Sequence, residues 1–233
     1  MRAGRVSVND RPARLGESAD PATDVIAVDG VVLRAPTHRY WMLNKPRGVL
    51  STARDTHSRA TVIDLLPDGL PRLFPVGRLD RDTEGLLLLT NDGELTHALL
   101  HPSFESEREY RVMVKGRIAA SPLRQLAAGV QLDDGITAPA RVGRAQYDTK
   151  QGISRFTLTL IQGKKRQIRR SLAALKHPVV GLLRVRMGPL RLGSLASGEA
   201  RSLNRSEIDA LNRLLAESQR RRKRPQPEHR KQS

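Results

Sequence analysis

The chain has 233 residues, enough for one main domain with a small appendage. Lys and Arg total 41 against 24 Asp and Glu, so the formal net charge is +17 and a polyanionic partner is expected. The absence of cysteine excludes disulfides, thiolate metal sites and a thiol nucleophile. No apolar run approaches the roughly 20 residues of a membrane span, and a signal-peptide core is lacking, so we expect a cytoplasmic protein without membrane contact.

Residues 1–35 are predicted to form a small β-rich unit. The alternation over 5–9 is typical of a strand, and Asp29-Gly30 joins the apolar segments 25–28 and 31–33 as in a tight hairpin. A linker is expected at 35–37, so that a second, larger unit begins near residue 38.

The larger unit is predicted to be α+β, because its strand-like segments outnumber its helices. Strands are expected at 40–44, 86–90, 108–115, 140–147, 153–161 and 179–187. Three short helices are expected after Asp92-Gly93, after Ser121-Pro122 and around 168–175. Asn204 and Glu207 are typical of the capped start of a final amphipathic helix.

A disordered basic tail is expected at 218–233, after a domain that spans 38–217. Its residues 219–233 hold seven Lys or Arg, one Glu and almost no apolar side chains, which leaves nothing to bury in a core. This segment accounts for only part of the net charge, so the folded body is itself basic.

Three acidic residues, Asp80, Asp82 and Glu84, directly precede four leucines at 86–89. A strand that enters the core behind them would fix these acids at a rigid edge, which is a suitable platform for a site. The spacing also matches the start of a calcium-binding loop, but Asn91 stands where a bidentate Glu is needed, so a metal is not expected. Simple ion pairing with neighbouring arginines is the reading that spacing alone favours.

A cluster of five cations opens the predicted helix at 164–172: Lys164, Lys165, Arg166, Arg169 and Arg170. Cations at a helix N-terminus are unfavourable by some tenths of a kcal/mol each, so an anion is expected there. Nucleic-acid phosphate and a buried carboxylate are the two candidates, and a solvated basic face remains the alternative.

Two further features are ambiguous from the residues alone. The turn Asn44–Gly48 presents Lys45 and Arg47, but such a turn is also ordinary exposed surface. Tyr110 lies on the predicted strand 108–115, where a core tyrosine is the simplest interpretation.

Six segments, in this order along the chain, together resemble the sequence pattern of one known family: 45–51, 61–67, 77–93, 109–112, 163–170 and 183–192. Over residues 38–215 the chain resembles the RsuA/RluB family of bacterial rRNA pseudouridine synthases. The run Gly-Arg-Leu-Asp-Arg-Asp-Thr-Glu-Gly followed by four leucines and Thr-Asn-Asp-Gly, at 77–93, is too long for chance agreement.

The resemblance implies a mixed, bent β-sheet with flanking helices and an RNA cleft across its middle. Asp80 matches the family's essential aspartate, which either adds to the uracil ring or attacks or deprotonates the ribose. Tyr110 matches the tyrosine that packs against the target base, and Arg169 matches the basic residue that pairs with the aspartate. No cofactor is expected, because the reaction exchanges an N–C for a C–C glycosidic bond without redox change or a group donor.

An RNA-binding role is expected for eight cations: Lys45, Arg47, Arg78, Lys164, Lys165, Arg166, Arg170 and Arg184. The implied partner of a monomeric enzyme is ribosomal RNA or a ribosomal subunit precursor, with large-subunit RNA preferred. A non-catalytic rRNA-binding assembly factor is the alternative, although Asp80 in a cationic cleft would only repel phosphate in such a protein. A DNA-binding regulator is disfavoured, since no recognition-helix pattern is visible.

The chain departs from the family pattern in two places. Arg166-Gln167 stands where the family often has His-Gln. Residues 2–35 resemble only the last, β-rich part of the αL RNA-binding module that precedes many of these enzymes, so we expect a late start codon or a truncated module.

Overall fold

The computed structural model describes residues 4–20, 23–33, 37–101, 106–161 and 163–223. The chain divides into two compact units, Met1–His38 and Arg39–Ser233. Most of the expected linker at 35–37 lies outside the described residues.

The first unit is a four-stranded antiparallel sheet in the order β2-β1-β3-β4. Its strands are β1 (Val6–Val8), β2 (Arg11–Pro12), β3 (Ile26–Val28) and β4 (Val31–Val32). Asp29 and Gly30 both have positive φ, 51° and 78°, as a tight hairpin turn between β3 and β4 requires, so this predicted hairpin is confirmed. Its assignment to an αL module stays a prediction.

The described residues of the second unit form ten strands of one mixed sheet, a separate two-stranded hairpin and four helices. The sheet strands are β5 (Tyr40–Lys45), β6 (Phe74–Pro75), β7 (Glu84–Thr90), β8 (Arg108–Lys115), β11 (Arg141–Val142), β12 (Gln146–Asp148), β13 (Ile153–Leu160), β14 (Val179–Met187), β15 (Leu190–Arg191) and β16 (Ala200–Ser202). The hairpin is β9 (Gln131–Leu132) with β10 (Gly135–Ile136), and the helices are α1 (Gly93–Leu100), α2 (Ala120–Ala128), α3 (Gln167–Ala174) and α4 (Arg205–Lys223). The predicted α+β class with a mixed sheet is confirmed.

The middle of the sheet is joined by a very short strand pairing. The main path runs β11-β13-β8-β14-β7-β5-β16, and the described strand pairs along it are antiparallel apart from β7 with β14. These two strands are parallel and in register only at Glu84 with Leu183 and at Gly85 with Arg184. Beyond these two pairs β7 and β14 are no longer paired, so the sheet opens at its centre.

The four leucines of β7 anchor this centre. Leu86 and Leu88 pack into one apolar cluster with α1 and α4, whereas Leu87 and Leu89 pack into a second cluster with Leu43 and its neighbours. All four are fully buried, because β7 is covered on both faces. The loop that precedes β7 therefore starts from a rigid position.

Two segments differ from the sequence prediction. The strand expected at 140–147 is broken into β11 and β12, whose register on β13 shifts by one residue: Val142 pairs with Leu158, whereas Gln146 pairs with Arg155. Helix α4 continues to Lys223, further than the domain end expected at 217, since Arg and Lys are good helix formers. Residues 224–233 of the expected tail lie outside the described residues.

Helix α4 begins as predicted. The Glu207 amide donates to Asn204 Oδ1 at 2.9 Å, and the Asn204 amide donates to Glu207 Oε2 at 2.9 Å, which is a reciprocal capping box. Within the part of the chain that the structure describes, no helix is both long and apolar enough to cross a bilayer.

Gly85→Ala tests the junction between β7 and β14. A Cβ at Gly85 would lie 2.3 Å from the Arg184 carbonyl oxygen, and the φ of 109° is strained for any L-residue, so we expect a loss of about 2–5 kcal/mol in the free energy of unfolding. Denaturant unfolding measures this loss. The matched control is Gly93→Ala at the start of α1, where no neighbouring atom lies within 4 Å and stability should not fall; equal stability of both variants would contradict the assignment.

Candidate active site

A cleft of about 800 Å³ lies over the open centre of the sheet. Its walls are the loop before β7, strands β8 and β14, and the segment that leads into α3. Eight of the eleven predicted site residues line it: Arg78, Asp80, Tyr110, Lys164, Lys165, Arg166, Arg169 and Arg184. The fold thus gathers residues that are more than 100 positions apart in the sequence.

The loop that carries Asp80 is fixed by buried hydrogen bonds. The Ser51 hydroxyl donates to the Leu79 carbonyl at 2.9 Å, and the Leu79 amide donates back to the same hydroxyl at 3.1 Å. The Thr83 amide closes a turn onto the Asp80 carbonyl at 3.0 Å. The Asp80 side chain remains about one-third exposed and lines the cleft. A carboxylate held in this way is pre-positioned for a molecule that enters the cleft.

Lys45 supports this loop from below, which corrects the expectation that it contacts RNA. Its side chain is fully buried, and its ammonium donates to the carbonyls of Pro46 and Thr83, each at 2.9 Å. Burial lowers the pKa of Lys45 to about 8, while the nearby carboxylates of Asp82, Glu84 and Asp80 oppose the shift. Lys45 is a structural cation beneath the acidic loop, because the end of β5 directs it inward.

The Asp82 carboxylate joins the acidic loop to the start of α3. Arg166 contacts it with both terminal nitrogens, at 3.0 and 3.1 Å, and Arg169 Nε lies 3.2 Å from Asp82 Oδ2. Arg169 Nη2 also donates to the Asp82 carbonyl at 2.8 Å. The hydrogen bonds from Arg166, and then the charge of Arg169, hold the pKa of Asp82 below its usual range.

This arrangement corrects the expected direct pair between Arg169 and Asp80. Among the residues that the structure describes, Arg166 is the cation in ion-pair contact with Asp80, with its Nη1 3.6 Å from Asp80 Oδ2. Asp82 takes Arg169 because it lies between the two arginines, which leaves Asp80 facing the cleft. The anion that the sequence predicts at the cationic start of α3 is therefore supplied in large part by the same chain, through the carboxylates of Asp82 and Asp80.

Arg166 holds an unusual backbone position for this contact. It precedes the first residue of α3 and has φ of 51° and ψ of 28°, in the left-handed region. Such a conformation is uncommon for a residue other than glycine, asparagine or aspartate. It turns the chain sharply into α3 where the guanidinium meets both acids of the loop.

The floor of the cleft is formed by β8 and β14. Tyr110 and Arg184 are register partners on these strands, and Leu182 lies two residues before Arg184 on the same side of β14. Arg184, expected to bind RNA, is only 2% exposed, so it lies at the floor and not at the rim. Tyr110 is half-buried and packs against the apolar cluster of β8 and β13, while it also lines the cleft.

Two other predicted RNA-binding residues lie outside the cleft lining. Arg47 Nε lies 2.8 Å from Glu84 Oε2, and its Nη2 donates to the Val180 carbonyl at 2.8 Å. Arg170 binds the Asp134 carboxylate with both terminal nitrogens, at 2.8 and 3.1 Å. Both arginines brace neighbouring segments, because carboxylates of the same chain lie within their reach.

The charges that line the cleft are strongly unbalanced. Seven Lys or Arg side chains face one Asp among the described lining residues. The exposed members are Arg78, Lys164, Lys165 and Arg166, and exposed cations suit a phosphate backbone. Lys164 also donates to the Asp134 carbonyl at 2.8 Å, and Arg166 is paired with the acidic loop. A polyanion can therefore be drawn to the rim while its attached group enters toward Asp80.

Sequence reasoning missed several lining residues. Arg108, His101 and Leu182 belong to the cleft, yet none stood out from its strand or helix pattern. The role of Asp82 as the partner of two arginines was also missed. A signal existed for Asp82, since it belongs to the same acidic run as Asp80, but spacing could not tell which acid each arginine reaches.

Comparison with known proteins identifies the family. The model of the RNA pseudouridylate synthase family matches residues 39–174. The chain belongs to this family. This match covers the acidic loop, Tyr110 and the start of α3, and it confirms the resemblance on which the predicted fold rests.

Individual relatives agree with this assignment. A ribosomal large subunit pseudouridine synthase B of Bacillus subtilis (strain 168) is 39% identical over 215 residues, which are 92% of this chain and 88% of the relative. An uncharacterized RNA pseudouridine synthase of Mycobacterium leprae (strain TN) is 45% identical over 214 residues, 89% of this chain and 82% of the relative. A crystal structure of a pseudouridylate synthase superposes with a TM-score of 0.67 at 31% identity, over 90% of both chains.

Lys45→Met tests the buried cation beneath the loop. Because burial lowers the pKa of Lys45, the unfolded chain binds more protons than the folded chain between about pH 8 and 10.5. The stability of the wild type should therefore rise through this window relative to Lys45→Met, so that their difference in melting temperature is more favourable to the wild type at about pH 9.5 than at about pH 7. Lys115→Met, at an exposed site on β8, controls for loss of a surface lysine. A difference that stays constant with pH would refute the assignment.

Proposed function

We propose that this protein isomerises a specific uridine of ribosomal RNA to pseudouridine, with large-subunit RNA as the preferred substrate. The observation that carries the proposal is the Asp80 carboxylate, which lines the same cleft as Tyr110 and faces seven Lys or Arg side chains among the described lining residues. A pure RNA-binding protein gains nothing from an anion in that position, since it repels phosphate. The choice of RNA rests on the similarity to the large-subunit synthase of Bacillus subtilis.

The proposed reaction is balanced without any additional reactant. The N1–C1′ glycosidic bond breaks, the uracil turns, and a C5–C1′ bond forms; C5 then loses its proton and N1 gains one. No electrons and no external group are exchanged, so side-chain oxygen and nitrogen groups suffice. Asp80 acts either by adding to the uracil ring or by attacking or deprotonating the ribose.

The neighbours of Asp80 have supporting roles in this proposal. Tyr110 packs against the displaced base, which must leave its stack to reach the carboxylate. Arg169 is a positioning residue, because it reaches the loop through Asp82 and not through Asp80 itself. Arg166 neutralises part of the charge of both acids until RNA enters.

The RNA backbone is proposed to follow the exposed cations at the mouth of the cleft. Arg78, Lys164 and Lys165 provide this path, and Arg78 holds the strand from which the base is displaced. We further propose that the enzyme acts as a monomer in the cytoplasm, where ribosomal RNA is assembled into subunits.

Asp80→Asn is the direct test of activity. It preserves the shape of the side chain but removes the carboxylate, so turnover should fall by at least on the order of 10²–10⁴-fold. The measurement is pseudouridine mapping on unmodified ribosomal RNA after incubation with each protein. Asp133→Asn is the matched control, since the Asp133 side chain is fully exposed and should be dispensable. Absence of product with the wild type would favour the assembly-factor alternative, and equal product with Asp80→Asn would end the Asp80 assignment.

Deletion of residues 219–233 tests the basic C-terminal segment. The deletion removes seven Lys or Arg and one Glu, so RNA affinity should fall most at low salt, and the slope of log affinity against log salt concentration should become shallower. Filter binding across a salt series measures both effects. Turnover at saturating RNA should be unchanged, and a deletion that stops chemistry there would contradict a purely electrostatic role.

A further inference from the structure

Arg184 is a buried cation with unused hydrogen-bonding capacity. Its Nε donates to the Leu86 carbonyl at 2.7 Å, but its Nη2 is buried and has no partner among the described residues. Leaving a buried donor without a partner costs about 1–3 kcal/mol, and more for a charged group. Such groups are uncommon in folded proteins, and a ligand or a water molecule can supply the missing acceptor where the residue lines a cleft. Five other buried side-chain atoms of the described residues also lack a hydrogen bond, among them Arg169 Nε.

Arg184 lines the cleft, but its unpartnered Nη2 is shielded from solvent, so the side chain must shift for this donor to reach a group in the cleft. Arg184 is the register partner of Tyr110 on β8 and of Gly85 on β7, so it lies at the point where the sheet opens. It contributes to the cleft floor together with Leu182 and Leu160. The missing acceptor can therefore come from a group that reaches the floor.

The surroundings indicate what kind of group this is. The exposed cations can bind phosphates, whereas the floor contains the buried side chains of Leu160, Leu182 and Arg184, which suits a planar base that packs against Tyr110. A guanidinium presents its donors in one plane and pairs well with acceptors in the plane of a base. We propose that Arg184 is a base-recognition residue whose free guanidinium edge donates a hydrogen bond to a carbonyl oxygen of the displaced uracil.

This inference rests on the proposed function and adds a determinant of base specificity to it. Uracil offers two carbonyl oxygens, O2 and O4, whereas cytosine replaces O4 by an amino group that cannot accept from an arginine. A bond to O4 selects uracil over cytosine. A bond to O2 orients the base without that selection.

Arg108 provides a matched comparison within the same cleft. It is also a cleft-lining arginine, but its two terminal nitrogens already donate to backbone carbonyls, to Ile161 at 2.8 Å and to Leu99 at 2.9 Å. Its loss should disturb the structure without removing a donor to the base. Comparing substitutions of Arg184 and Arg108 therefore distinguishes loss of base recognition from loss of structural support for the cleft.

The experiment measures binding without turnover, in the Asp80→Asn background. RNA fragments that contain the mapped target uridine are compared with the same fragments in which that nucleotide is abasic. Arg184→Met should weaken binding of the uridine RNA by about tenfold or more and leave abasic RNA unaffected. Arg108→Met should change both affinities by the same factor.

Two further substrates identify the carbonyl. RNA with 2-thiouridine or 4-thiouridine at the target position replaces one oxygen by a weaker acceptor. With Arg184 present, one of the two replacements should weaken binding; with Arg184→Met, that replacement should have no effect. The thio substitution whose effect disappears in Arg184→Met identifies the carbonyl oxygen, O2 or O4, that accepts from Arg184.

Several outcomes would overturn the role of Arg184: equal weakening of uridine and abasic RNA by Arg184→Met, or no weakening of either. If Arg184→Met does not fold, as judged by circular dichroism, Arg184→Lys replaces it. Its shorter side chain lacks the rigid planar pair of donors that a guanidinium presents, so an undiminished preference for uridine over abasic RNA would also reject the role. Absence of pseudouridine with the wild type would reject the proposed function itself. If the wild type forms pseudouridine but Arg184→Met binds uridine RNA and abasic RNA as the wild type does, only the role of Arg184 is rejected.

Discussion

The short parallel contact between β7 and β14 is the constraint on which the site depends. Two register pairs join these strands, and close approach of the backbones at Gly85 and Arg184 leaves no room for a side chain at Gly85. Because the pairing ends there, the sheet opens and β8 and β14 become the floor of a cleft. The same contact fixes the start of β7, and so it fixes the acidic loop directly above that floor.

Charge is distributed in layers around this opening. Lys45 lies buried beneath the loop, Asp82 ties the loop to Arg166 and Arg169, and exposed lysines lie at the mouth. Most of these cations are satisfied by the protein itself, which explains how a basic chain folds without its partner. Asp80 and Arg184 differ, since the Asp80 carboxylate lines the cleft partly exposed and the buried Arg184 Nη2 has no hydrogen-bond partner among the described residues.

The Asp82 contact changes how the cationic helix start is understood. The sequence indicated that an anion must lie at the N-terminus of α3, and the structure supplies it from the acidic loop. Arg166 contacts both acids from a left-handed backbone position, so it also blocks part of the approach to Asp80. An entering phosphate can compete for this arginine, because its partners are partly exposed carboxylates and not buried ones.

The family, the mixed α+β class and most of the longer elements could be read from the sequence alone, because long motifs and hydrophobic periodicity are local properties of the chain. The catalytic role of Asp80 stays a prediction. The sequence could not determine that Lys45 points inward, that Asp82 rather than Asp80 takes Arg169, or that Arg184 lies at the cleft floor. It also missed short strands such as β16, whose three residues carry no pattern of their own. These features depend on contacts between residues 38 to 98 positions apart, such as Lys45 with Thr83 and Arg184 with Leu86, and such contacts follow from the packing and register of the strands and not from spacing along the chain.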